Sequence, residues 1–202
     1  MQNEISGFGD NAVATLQANV AIPEGMEQAG HYHVVCRDAN GNLKWEEEFP
    51  NLVVAIGKQL MLDTLLRTSG TYTTVGPFLG LTNATLTPAA TDTMTTLVGG
   101  SKEFTNYTVG GSAVRGTAVF AASTSTGSTP SNVTTSTATA ITYTITGAGG
   151  TVYGCFLVTG SGAVSTKTST AGTLYSEGNF ATAKATTAGD TVSVTYSTTA
   201  TS

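Results

Sequence analysis

The chain has 202 residues, of which only 10% are charged and 7% aromatic, and it carries a formal net charge of −5 with a pI near 4.8. About a fifth of it is threonine, several times the usual share. This balance offers no Lys/Arg cluster to displace counterions from a phosphate backbone, which argues against nucleic acid as a partner, and no run of about eighteen apolar residues to cross a bilayer as a helix.

The opening stretch, MQNEISGFGDNAV, lacks a positive region followed by an apolar one, so a secretory signal is not expected and the chain is expected to be made in a cytosol. Cys36 and Cys155 are then expected to be reduced, buried small residues. Residues 1–29 form a predicted N-terminal arm. Ala12, Val13, Leu16 and Val20 give it a short amphipathic turn, bracketed by Gly7, Gly9, Pro23, Gly25 and Gly30. Such an arm orders against a partner, or it is an ordinary frayed terminus.

A hairpin is predicted over 31–49. HYHVVCR and LKWEEEF flank Asn40-Gly41, a dipeptide that tolerates the positive φ of a tight turn. Alternation places His31, His33 and Val35 on one face and Tyr32, Val34 and Cys36 on the other. In the second strand Leu43, Trp45, Glu47 and Phe49 share a face, opposite Lys44, Glu46 and Glu48, and Pro50 is expected to stop it.

The next stretch, NLVVAIGKQLMLDTLLR, reads as a helix over 56–67 with Asn51 as a possible cap and Ser69-Gly70 as its end. Leu62, Leu65 and Leu66 supply an apolar stripe expected to lie over a sheet, so that Leu62→Asp is expected to abolish folding. Gly57 implies close packing or a late start. PFLGLT follows as a buried strand, and residues 83–100 as a long loop with a helical turn around Asp92.

From there the chain is a series of strand candidates: KEFTNYTV, SAVRGTAVF, NVTTS, ATAITYTIT, TVYGCFLVT, GTLYSEGNFATAKAT and DTVSVTYST, separated by Gly- and Ser-rich turns. Ile141, Tyr143 and Ile145 alternate with Thr142, Thr144 and Thr146, as do Val192, Val194 and Tyr196 with polar neighbours, which describes antiparallel sheets with one face to the core. About nine strands without interleaved helices exclude a βαβ layout. The predicted fold is mainly β: an antiparallel β-sandwich of jelly-roll or Greek-key type, formed by a single domain over 30–202 with one short helix.

Charge is uneven. Glu4, Asp10, Glu24, Glu27, Asp38, Glu46, Glu47, Glu48 and Asp63 all precede Thr68, whereas from Gly116 onward only Lys167, Glu177, Lys184 and Asp190 are charged. A surface this poor in charge suits a protein whose surface meets neighbours or is covered with hydroxyls.

Groups that carry chemistry are sparse. His31 and His33 share a strand face on which two imidazoles can meet a metal, yet a zinc site needs a third ligand, and Cys36 faces the other way. Glu46 and Glu48 converge while Glu47 points away, which reads as a solvated or edge-protecting strand face. No nucleophile elbow or phosphate loop is present: GAGG (147–150) and GSG (160–162) precede strands and read as turns. The residues therefore predict no catalytic centre, no cofactor and no metal.

Three stretches resemble a family of tailed-bacteriophage virion structural proteins. NLVVAIGKQLMLDTLLR with FLGLT is similar to the family's "Gly…Leu-Leu-Asp…Leu-Arg" helix and the strand after it. KEFTNYTVGGSAVRGTAVF is similar to a "Glu…Tyr…Arg" strand pair, and GTLYSEGNFATAKATTAGDTVSVTYS to the family's ending. The resemblance covers roughly residues 51–198. It implies a non-enzymatic capsid cement or decoration protein on the capsid surface of a virion, made in the host cytoplasm, that stabilises the head as a homotrimer on the major capsid protein. The expected interface residues are Ile5, Phe8, Leu16, Trp45, Glu46 and Glu48. Alternatives are a tail or head fibre or adaptor component, and a carbohydrate- or surface-binding β module whose ligands meet the Thr142, Thr144 and Thr146 row.

Overall fold

The computed structural model describes residues 27–66, 75–123, 131–133 and 140–201. Residues 1–26 of the predicted arm, with Ile5, Phe8 and Leu16, lie outside the described residues, as do Arg67 and the Ser69-Gly70 stop; residues 27–29, predicted as arm, are strand, because they pair with the end of the chain at Thr199–Thr201.

The first two strands, β1 (Glu27–Arg37) and β2 (Leu43–Val53), form the predicted hairpin. Its turn is organised by Asp38, whose carboxylate accepts from the backbone N–H of Asn40 and Asn42 at 2.8 and 2.9 Å, while Gly41 takes a φ of 87°. Tyr32, Val34 and Cys36 are fully buried and His31 and His33 face outward, as alternation predicts.

Helix α1 (Ala55–Leu66) follows, then β3 (Phe78–Thr82) and a loop with the short helix α2 (Met94–Leu97), which Thr93 caps. The remaining strands are β4 (Glu103–Phe104), β5 (Tyr107–Thr108), β6 (Gly116–Thr117), β7 (Ser131–Val133), β8 (Ile141–Ile145), β9 (Gly150–Thr159), β10 (Thr173–Thr186) and β11 (Thr191–Thr201).

Among the described residues all eleven strands belong to one continuous sheet, ordered β4-β3-β9-β10-β2-β1-β11-β8-β5, with β6 on β3 and β7 on β11, and every pairing is antiparallel. The sheet turns a corner at β2. Up to Asn51 this strand pairs with β1; Leu52 and Val53 pair instead with Glu177 and Ser176 of β10. Pro50 therefore does not stop the strand. It has no N–H to give to a ladder, and the chain changes partner just beyond it. Gly178 permits the corner, since a Cβ there would sit 2.9 Å from the Pro50 carbonyl oxygen.

The corner brings the two halves of the sheet face to face. Tyr32, Val34, Cys36, Ile141, Tyr143, Val192 and Val194 from one half pack with Leu79, Leu81, Cys155, Leu157 and Phe180 from the other. Two hydroxyls cross the core: Tyr32 Oη lies 2.9 Å from Ser176 Oγ, and Tyr143 Oη donates to the Leu79 carbonyl at 2.7 Å. Opposite the corner, Gly116 of β6 lies so close to Ile141 of β8 that the sheet is nearly closed.

Behind β9 and β10 a second core gathers Phe156, Val158 and Leu174 with Val54, Leu86, Met94 and Leu97. Strand β9 is thus covered on both faces, which accounts for its unbroken apolar run.

The packing of α1 departs from the expected stripe. Leu62, Leu65 and Leu66 are 47%, 80% and 71% exposed, and the buried residue of the helix is Gly57. A Cβ on Gly57 would stand 2.6 Å from the Tyr175 carbonyl oxygen, so the helix approaches β10 through a glycine and turns its leucines outward. Asn51 is no cap either: it lies in β2, and its amide donates to Tyr196 Oη at 3.0 Å.

Candidate interaction surface

The outer face of β2, β1, β11 and β8 collects the predicted polar residues. The tight turn sets Glu48 opposite His33, and the side chains then reach diagonally. His33 Nε2 lies 2.7 Å from Glu46 Oε1, and His31 Nδ1 lies 3.8 Å from Glu48 Oε1. All four side chains are between 40% and 65% exposed. Thr195 and Ser197 of β11 join His31, His33 and Glu48 around an open hollow of about 460 Å3. Further along, Thr142 Oγ1 and Ser193 Oγ are 3.2 Å apart. The face therefore presents imidazole, carboxylate and hydroxyl groups on a paired, rigid backbone.

Sequence reasoning treated the histidines and the glutamates separately and did not join them. The register that places Glu48 across from His33 is set by the five-residue 38–42 loop together with a shift between Cys36 and Arg37, which spacing alone does not reveal.

Trp45 does not belong to this face. Alternation turns it inward, where its ring meets Phe180 edge-on at 5.5 Å and its indole N–H donates to the Ala185 carbonyl at 3.3 Å. Glu47 also points inward, pairing with Lys184 at 2.6 Å and accepting from the Ala181 N–H. Of the expected interface residues, the structure brings Glu46 and Glu48 together and separates Trp45 from them.

A second surface feature lies between α1 and the sheet. Gly57, Leu60, Met61, Leu65, Thr159 and Tyr175 line an apolar groove of about 260 Å3. Next to it, a hollow of about 180 Å3 is lined by Pro77, Phe120, Leu157, Tyr196 and Thr198 and shares Thr159 and Tyr175 with the groove.

The buried titratable groups belong to the scaffold. Arg115 and Glu103 make a two-pronged pair, Nε–Oε1 and Nη2–Oε2 both 2.8 Å, and both residues are buried. Arg115 also donates to the Ser169 carbonyl, and the Thr168 N–H donates to Glu103, so the pair holds the 164–169 loop against β4. Burial opposes ionisation of Asp190, but hydrogen bonds from Lys44 and Thr187 outweigh it and hold the carboxyl below its usual range.

Glu177 behaves in the opposite way. Burial, then its hydrogen bond to Asp92 and the charge there, push its carboxyl up to about 8. The two acids face a hollow of only about 30 Å3 with Thr96 and Lys102, which is room for water and not for a substrate. Cys36 and Cys155 are free and buried; burial, with the charge of Asp190, raises the Cys36 thiol to about 11, and burial raises Cys155 further. Neither is a poised nucleophile.

Among the described residues no group of three His, Cys, Asp or Glu side chains is arranged to hold a metal ion, and no helix is long and apolar enough to cross a membrane. No family model, curated protein or solved structure matches the chain.

Proposed function

We propose that this chain is a non-enzymatic structural component of a tailed-phage particle, a capsid cement or decoration protein that binds the major capsid protein as a homotrimer on the virion surface. The observation that carries this reading is the outer face of the hairpin. Glu46 and Glu48 sit there in pairs with His33 and His31, flanked by hydroxyl side chains, on a sheet whose other face is core. Such a face recognises a protein surface by hydrogen bonding and charge without burying a large apolar patch.

The resemblance adds support from inside the fold. The Glu, Tyr and Arg of its strand pair fall on Glu103, Tyr107 and Arg115; the first and last form the buried ion pair. The fully buried Tyr107 stands beside them, its ring under the Lys167 ammonium at 4.5 Å. The motif thus marks residues that hold loops to the framework. On this reading the folded sheet is a β-sandwich of Greek-key or jelly-roll kind, with the β1–β2 hairpin inserted between the consecutive strands β10 and β11. Many copies, each with a modest contact area, reinforce a shell by multivalency.

Trp45 packs on Phe180 and turns away from the hydroxyl row, so it is not available as a stacking platform beside Thr142 and Thr144 for a sugar. Cosedimentation of the purified protein with assembled shells of the major capsid protein tests the proposal. Saturable binding is expected, weakened by tenfold or more in the double variant Glu46→Lys, Glu48→Lys. Equal binding by that variant rejects the hairpin face, and no binding by the wild type rejects the capsid role.

A further inference from the structure

We propose that the apolar groove along α1 is the docking site for the N-terminal segment of the same chain, residues 1–26, through Val13, Leu16 and Val20. The groove lies where a helix comes to the sheet on Gly57, with Leu60, Met61 and the 80% exposed Leu65 along it, facing Thr159 and Tyr175 of the sheet. Contiguous exposed apolar side chains of this kind mark a surface that something covers.

The route of the chain selects the occupant. β1 begins at Glu27, paired with Thr201, and the Gln28 side chain donates to Tyr175 Oη at 2.9 Å and to Thr198 Oγ1 at 3.0 Å. Tyr175 lines both the groove and the neighbouring hollow, and Thr198 lines the hollow. β1 therefore starts at the edge of the groove. From Glu27 back to Leu16 an extended chain reaches about 36 Å, twice the roughly 18 Å length of a twelve-residue helix, so reach is not limiting.

The composition of the segment fits as well. Ala12, Val13, Leu16 and Val20 repeat at close to helical spacing and give one apolar side, the pattern by which an amphipathic segment lies in an apolar groove.

Cysteine cross-linking in the full-length protein tests this docking, with native Cys36 and Cys155 buried and out of reach. Val20→Cys is paired with Met61→Cys or Leu65→Cys, both on the groove, under mild oxidation of a mixture of isotopically light and heavy chains, read by peptide mass. The expected result is a disulfide between the two sites within one chain. Light–heavy cross-links as the main product assign the groove to a second copy and overturn the proposal; so does the absence of any cross-link to residue 20. Hydrogen exchange supplies an independent readout: Met61→Ser with Leu65→Ser should raise exchange across residues 12–22 at least tenfold while leaving the near-UV spectrum of the core unchanged. Unchanged exchange in that segment also overturns the proposal.

Discussion

Arg115 and Glu103, twelve residues apart, meet as a two-pronged ion pair with both contacts at 2.8 Å and both side chains cut off from solvent. The pair is not isolated. The Arg115 guanidinium stands over the Phe156 ring at 5.3 Å and donates to Ser169, while Glu103 accepts from the Thr168 N–H. The remaining lone pairs and protons that burial would otherwise leave unsatisfied are thus engaged, which is the condition for a buried pair to be tolerable.

Removing one partner should therefore be severe. Arg115→Met leaves a buried carboxylate without its cation and is expected to destabilise by about 3–5 kcal/mol. Replacing both, Arg115→Met with Glu103→Leu, should recover most of that loss. Urea denaturation of the two single variants and the double variant measures the coupling; additive losses would show that the pair does not act as a unit.

Glu177 predicts a pH dependence of definite sign. Its carboxyl titrates at about 8 in the fold, above the ordinary value of 4.5. Between these values the folded chain holds a proton that the unfolded chain has released, so stability is full below about pH 4.5, falls as pH rises, and levels off beyond about pH 8. This group's contribution is of the order of a few kcal/mol. Glu177→Gln keeps a donor for Asp92 without the titration and should flatten that part of the Tm-against-pH curve. An unchanged slope in the variant would assign it to another group.

The packing of α1 makes a paired prediction. Gly57→Ala gains about 1 kcal/mol of helix propensity but drives a methyl group to 2.6 Å from the Tyr175 oxygen, and is expected to destabilise by about 1–3 kcal/mol. Leu62→Asp, at a half-exposed position, should shift the global transition by less than about 1 kcal/mol. Thermal and urea unfolding of the two variants check the order; the reverse ranking would restore the expectation that the leucines hold the helix down.

The contrast at α1 shows what local pattern can and cannot tell. Tyr32, Val34, Cys36, Val192 and Val194 were assignable to the core because a strand alternates with period two, and the even-numbered side chains of β1 had one apolar face to offer. The unbroken run in β9 was readable as a buried strand for a similar reason. At α1, spacing gave an apolar stripe, but which side meets the sheet was decided by how close a backbone can come to Tyr175, and only glycine allows that distance.

Pro50 misled for a related reason. Its missing N–H ends a ladder only where the strand keeps the same partner, and here β2 passes from β1 to β10. The Glu103–Arg115 pair and the Glu177–Asp92 pair were invisible as pairs because contacts between elements are not written in spacing. Of the candidate surface, the identities of Glu46, Glu48, His31 and His33 were legible, and so was their outward direction. Their pairing needed the register. Alternation also sets Trp45 on the side of β2 opposite Glu46 and Glu48; that this side packs on Phe180 is a contact between elements that spacing does not carry.

The central claim is that this chain decorates a phage head, and a cryo-EM map of the particle that carries it tests that claim most directly. The account predicts three-fold symmetric density for the β body on the outside of the shell, with the Glu46–Glu48 face of the hairpin against the major capsid protein. Density for the chain at the tail, or on the shell with the Glu46–Glu48 face turned away from the major capsid protein, would contradict the account.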